Sequence, residues 1–158
     1  RRRGGARSGR QQRQGGVSVV AEGPHGPVTA GRRSQRHVAR LAGGIGITPL
    51  CAIAEAMPAH RGDVVLLYRA ATEHDVAFRG ELDKLGERGI DVRILVGTDV
   101  GDHETDQLGI PALRRHLPHI RHHDIYVCGP PAMVNAIRHR LRALRVPRAQ
   151  VHFERFDY

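Results

Sequence analysis

The sequence predicts an α/β domain built on a five-stranded parallel sheet with helices on both faces. Three observations predict it. From Val17 onward, short apolar runs alternate with stretches of helical period, the pattern left by strands joined through crossover helices. The runs are continuous rather than alternating, as in Val64-Val65-Leu66-Leu67-Tyr68, which suits strands buried on both faces. The first crossover opens with Gly43-Gly44-Ile45-Gly46-Ile47-Thr48-Pro49, a glycine turn between a strand and a helix. Parallel crossovers are right-handed, and helices on one side only would leave an apolar face wet.

Taken in order, Val17 to Ala21 is a strand that ends at the turn Gly23-Pro24-His25-Gly26-Pro27, followed by Val28-Thr29 and a basic linker, Arg32 to Arg36. It reads as the last strand of something upstream. Val38 to Ala42 is the first strand of the sheet, with Arg40 at a position where a central strand normally carries an apolar residue. The helix after the glycine turn shows Leu50, Ile53 and Met57 on one face; Thr48 is placed to cap it and Pro49 suits its first turn, where a missing N–H costs nothing. Val64 to Tyr68 is the second strand. Thr72 with Asp75 makes a capping box, read as opening a helix with Phe78, Leu82 and Leu85 on one stripe. Gly89 ends that helix, Val92 to Val96 is the third strand, and an acidic loop from Gly97 to Gly109 leads to a short helix from Pro111 to about Leu117. Ile125 to Cys128 is the fourth strand. The last helix, Pro131 to Leu144, turns Met133, Ile137, Leu141 and Leu144 inward and Arg138, Arg142 and Arg145 outward, and Val151 to Phe153 is the fifth strand.

The 158 residues suffice for one domain and a tail. Six of the nine net positive charges sit in residues 1–16, as Arg1, Arg2, Arg3, Arg7, Arg10 and Arg13, with no acid among them. With one alanine as its only apolar side chain, that tail cannot offset its ordering entropy, so disorder is expected there. It has no interleaved aromatics for base stacking, so no nucleic-acid partner is expected. No apolar run is long enough to span a bilayer, and the first residues hold no hydrophobic segment of the kind a secretory signal requires. Cys51 and Cys128 are far apart and fit free thiols in a reducing compartment, taken as the cytoplasm. His116, His119, His122 and His123 crowd together, but they straddle a helix end and Pro118 without a carboxylate or cysteine at ligand spacing, so no metal site is expected.

In a sheet of this kind ligands lie beyond the carboxyl ends of the strands, near the point where strand order reverses. That places Gly44 to Pro49, Tyr68-Arg69, Cys128-Gly129-Pro130 and Glu154 along one crevice. Glycines let a backbone approach phosphates, and the free N–H groups at a helix start favour negative charge. A diphosphate is the ligand this turn suits. Arg69 stands where NAD-specific folds put an acid for the ribose hydroxyls, and a cation there suits a 2′-phosphate, which favours NADP with NAD as the alternative; Asp75 is read as a cap.

Two motifs about 80 residues apart narrow the reading: Gly44-x-Gly46-x-x-Pro49, with proline in place of the third glycine of the dinucleotide fingerprint, and Cys128-Gly129-Pro130-Pro131-Ala132-Met133. Together they resemble the ferredoxin-NADP reductase superfamily. With Leu67-Tyr68-Arg69-Ala70 and Glu154-Arg155-Phe156, the chain is similar to the NAD(P)-binding domain of bacterial FAD-dependent, ferric-reductase-like oxidoreductases. The resemblance covers nearly all of residues 20–158. It implies a Rossmann-like domain over residues 37–158, a remnant of a flavin-binding β-barrel with its linker over 17–36, and the basic tail over 1–16. It also implies hydride transfer from NAD(P)H to FAD, then onward to a one-electron acceptor such as ferredoxin, haem or ferric iron.

On these residues, the resemblance implies that Gly44, Gly46, Ile47, Thr48 and Pro49 hold the pyrophosphate, with Thr48 near the nicotinamide. Cys128 would lie beside that ring, where a small polarizable side chain leaves room for hydride transfer, and has no nucleophilic role; Gly129, Pro130 and Met133 complete its surroundings. Glu154 and Phe156 would close the pocket, and Phe156 could stack on the isoalloxazine. The family's Arg-x-Tyr-Ser-type flavin motif is missing between Arg1 and Val19, and His25 replaces an aromatic. FAD is therefore expected in a full-length parent, its flavin domain encoded upstream or supplied in trans. That parent could be membrane-attached through an upstream domain, and this chain is then an incomplete reductase. The other reading is a non-catalytic nicotinamide-nucleotide-binding protein or remnant, with its basic tail as an interaction arm.

Overall fold

The computed structural model describes residues 34–56, 62–97 and 106–154. The tail, the strand expected within Val17 to Thr29 with His25, Met57, most of the acidic segment after the third strand, and residues 155–158 with Phe156 lie outside them. The strands are β1 (His37–Gly43), β2 (Val64–Ala70), β3 (Asp91–Val96), β4 (His123–Cys128) and β5 (Val151–Glu154). The helices are α1 (Ile47–Ala56), α2 (Arg79–Glu87), α3 (Ile110–His116) and α4 (Pro131–Ala143). All strand pairs are parallel, in the order β3-β2-β1-β4-β5. Each of the five strands expected for the sheet is present, one or two residues longer than its apolar run.

Two apolar layers sandwich the sheet. On one face Val38, Ala42, Leu66, Tyr68 and Cys128 pack with Leu50 and Cys51 of α1 and with Leu82 and Leu85 of α2. On the other, Ala39, Leu41, Leu67, Ile125 and Val127 pack with Leu113 of α3 and with Ile137 and Leu141 of α4. Successive strand residues feed opposite layers, so each strand must be apolar along its length. Among the described residues no helix is long and apolar enough to cross a membrane.

Arg40 is the exception in β1, with only 1% of its surface exposed. It lies between Leu66 of β2 and Tyr126 of β4, and its Nη1 donates to the Leu50 carbonyl at 3.4 Å. A buried guanidinium is tolerated when protein groups replace its water. Here it ties the centre of β1 to the first turns of α1.

Three local expectations are corrected. The capping box forms, with Thr72 N and Oγ1 donating to Asp75 Oδ2 at 3.0 and 2.7 Å, but it closes a single 3-10 turn, Glu73–Asp75, rather than opening a helix. The Tyr68 hydroxyl accepts from Ala77 N at 3.2 Å and donates to the Asp75 carbonyl at 3.4 Å, holding the chain out of helical geometry there. The helix begins only after Phe78, which is left-handed at φ 57° and 45% exposed, so Phe78 is not part of the inward stripe. In α4 the fully inward positions are Val134, Ile137 and Leu141, with Leu144 just past its end; Met133 is only half-buried, resting on this layer with its tip against the glycine loops.

Candidate functional site

The strand order reverses between β1 and β4. The chain leaves β1 for α1 on one face and leaves β4 for α4 on the other, so the two loops stand side by side beyond the carboxyl ends. This is where a doubly wound sheet opens a crevice. Both sequence motifs sit on these loops, and they are in contact. A Cβ on Gly46 would stand 2.3 Å from the Cys128 carbonyl oxygen and 2.8 Å from Gly129 N. One on Gly129 would meet Met133 Cε at 2.5 Å and Gly43 N at 3.2 Å, and one on Gly43 would meet Met133 Sδ at 2.4 Å. Only glycine allows backbones this close. Gly43 is therefore a site residue that the sequence reading passed over; its signal was the doubled glycine itself.

Gly44 adopts φ +54° with no atom within 4 Å of where a Cβ would be. The turn is left-handed at its apex and open above. Gly44–Gly46 forms a 3-10 turn that runs directly into α1, with the Ile47 N–H donating back to the Gly44 and Ile45 carbonyls. Thr48 is thus the second residue of the helix rather than its cap, exposed at the mouth of the crevice, and Pro49 is half-buried in the first turn. The exposed Thr48 and the room above Gly44 fit a diphosphate laid against the turn.

Register aligns the remaining predicted residues. Tyr68, Ala42, Cys128 and Glu154 form one row across four strands at the carboxyl edge, and Arg69 pairs with Gly43 in the next row. Cys128 is wholly buried in the layer with Tyr68 and Tyr126. Pro130 is exposed ahead of α4, and the backbone of Glu154 ends β5. Phe156 lies outside the described residues. Among those described, no three His, Cys, Asp or Glu side chains are grouped to hold a metal; of the histidine cluster, His123 packs on His37 with ring centres 5.4 Å apart, and His116 Nδ1 lies 3.1 Å from Arg93 Nη1. Burial pushes both His123 and His116 below the usual histidine range, with Arg93 adding to the effect at His116. Both lie at the amino edge, away from the crevice.

A profile of the family described as the oxidoreductase NAD-binding domain matches residues 41–139, which contain both loops. NADH-cytochrome b5 reductase 1 of Candida glabrata is 30% identical over 145 residues, covering 85% of this chain and 51% of that protein. Ferredoxin–NADP reductase B of Sorangium cellulosum is 30% identical over 159 residues, covering 90% and 63%. Among solved structures, the ferredoxin reductase in carbazole 1,9a-dioxygenase, in its FAD apo form, superposes with a TM-score of 0.59 at 29% identity, covering 78% of this chain and 36% of that one. The chain thus spans between half and two thirds of the length of these curated relatives. It belongs to the oxidoreductase NAD-binding domain family and has the fold of a ferredoxin-NADP reductase-like nucleotide-binding domain.

Proposed function

We propose that this chain is the nucleotide half of a flavoprotein reductase: it binds NAD(P)H across the crevice and presents it to a flavin on a separate domain, upstream or in trans. The observation that carries this reading is the contact of Gly46 with the Cys128-Gly129 peptide, which joins the two family motifs into one surface at the switch point. The turn at Gly44, Gly46, Ile47, Thr48 and Pro49 holds the pyrophosphate; Cys128, Gly129, Pro130, Met133 and Glu154 surround the nicotinamide, and Phe156 closes it off. NAD(P)H supplies the hydride, and the protein supplies position and electrostatics. A wholly buried Cys128 suits a wall rather than a nucleophile.

Arg69, half-buried at the carboxyl end of β2, favours NADPH over NADH. The flavin passes electrons to a one-electron acceptor; the relatives' names point to a cytochrome b5 or a ferredoxin. Both cysteines are buried and outside any disulfide, in keeping with a cytoplasmic site of action. The test has two arms. NADPH binding to the chain alone is measured by fluorescence titration, and a fusion to a flavin-binding barrel is then examined for anaerobic bleaching on adding NADPH. No binding in the first arm sinks the reading. Binding without bleaching favours the non-catalytic alternative.

A further inference from the structure

A cavity of about 770 Å³ lies at the opposite end of the sheet from the crevice. It is lined by Arg114 of α3, by His119, Arg121 and His122 in the loop entering β4, and by Arg145 just past α4. Because α4 runs antiparallel to the strands, its carboxyl end returns to the amino edge where β4 begins. The cleft is therefore a different place from the nucleotide site. Its size is within the range of small-molecule sites, roughly 300–1,000 Å³.

Its lining carries cations and no carboxylate. Among the described residues, none of Arg114, Arg121 and Arg145 is ion-paired, whereas Arg36, Arg79, Arg93 and Arg140 all are. The described carboxylates at this edge are engaged elsewhere: Asp63 with Arg36, Asp91 with Arg93, and Asp124 with Ser34 and Gln35. Arg145 adds an independent sign. It sits at φ 58°, closing α4 with Arg145 N donating to the Arg142 carbonyl and Val146 N to the Leu141 carbonyl, at 2.9 and 3.0 Å. This position ordinarily belongs to glycine. Strain accepted at a residue that lines a cleft is a pointer to function.

We propose that this cleft is a second anion site, for a small molecule bearing two or three phosphates. Guanidinium groups match phosphate oxygens in paired hydrogen bonds, and three arginines from three segments line this cleft. The concavity favours a small molecule over an extended polyanion.

The test uses the full ¹⁵N-labelled chain titrated with inorganic tripolyphosphate at constant ionic strength. Saturable shifts are expected in the amides of residues 119–122 and 143–145. Arg145→Gly is expected to raise the thermal midpoint, because glycine relieves the left-handed strain, and to weaken tripolyphosphate binding about fivefold or more; Arg121→Ala weakens it further while NADPH affinity is unchanged. Shifts confined to residues 1–16 or 44–49 overturn the proposal. So does equal response to sulfate at the same ionic strength, unchanged affinity in the Arg121→Ala, Arg145→Gly double variant, or response only to a phosphopeptide titrated in parallel.

Discussion

Gly46 lies flat against Cys128: the carbonyl oxygen of the cysteine occupies the place where a side chain on residue 46 would begin, 2.3 Å from an added Cβ. The obstacle is backbone at the end of a central strand, which cannot swing aside. Gly46→Ala is expected to cost about 2–3 kcal/mol in urea unfolding, as overpacking does, and to weaken NADPH binding at least tenfold. Gly44→Ala meets no atom and bears only the left-handed strain, about 1–2 kcal/mol. The order of the two losses is the check, and a Gly46→Ala variant as stable as wild type refutes the contact.

In the proposed reading, Arg69 at the end of β2 is the residue that selects the coenzyme. Arg69→Asp should weaken NADPH binding by about tenfold or more, by removing a charge-assisted pair and adding repulsion, while NADH binding changes little. Dissociation constants for both coenzymes, measured side by side, decide it. Equal losses for the two would place Arg69 away from the 2′-phosphate.

Asp124 ties the chain entering β1 to the start of β4. Its carboxylate, with no exposed surface, accepts from Ser34 N, from Ser34 Oγ at 2.8 Å and from Gln35 N at 2.7 Å. Asp124→Ala is expected to lose about 2–4 kcal/mol, since three hydrogen bonds to a buried carboxylate are lost together. Ser34→Ala removes one bond and should lose about 1 kcal/mol. Urea midpoints measure both.

Arg140 and Asp106 form an ion pair that is mostly shielded, with side-chain exposures of 22% and 7%. Arg140 Nη1 also donates to the Leu108 carbonyl at 3.2 Å, and Asp106 Oδ1 accepts from Leu108 N at 2.9 Å. Arg140→Leu strands a buried carboxylate, at a cost of about 3–5 kcal/mol. Adding Asp106→Asn should recover part of the loss, and a double-mutant cycle gives the coupling.

His123 makes stability depend on pH. Burial holds its folded-state pKa below the ordinary value, so the unfolded chain binds the proton more readily. Its contribution is complete above about pH 6.5, where the unfolded histidine is neutral, and is lost as pH falls from there towards the folded-state pKa. His116 acts in the same direction. The melting temperature should therefore drop on acidification from pH 7, and the drop should be smaller in His123→Gln. An equal slope in the variant assigns it to other groups.

The strands, their parallel direction and the two glycine loops were legible because each depends on local signals, continuous apolar runs and residues with special backbone freedom. What escaped depends on partners distant in sequence. The capping box at Thr72 and Asp75 was read correctly as chemistry and wrongly as a helix start, because the Tyr68 hydroxyl claims the backbone just beyond it. Met133 has the right spacing for a core position, yet glycines at 43 and 129 leave a hollow that draws it toward the loops. Arg40 stood out as an anomaly whose acceptor, the Leu50 carbonyl, emerges only when α1 is laid over the sheet. The basic cleft combines segments near 114, 120 and 145 that no single window of sequence displays.

The meeting of the β1 and β4 loops makes the proposed nucleotide site a reporter of assembly. Neither loop can form its half of the surface alone, since each supplies the wall against which the other is packed. Any opening that parts β1 from β4 dismantles the whole site at once, and a bound nucleotide must resist that parting with its full binding free energy. Coenzyme should therefore slow amide exchange most along the β1–β4 seam, including residues far from the ligand at the amino edge.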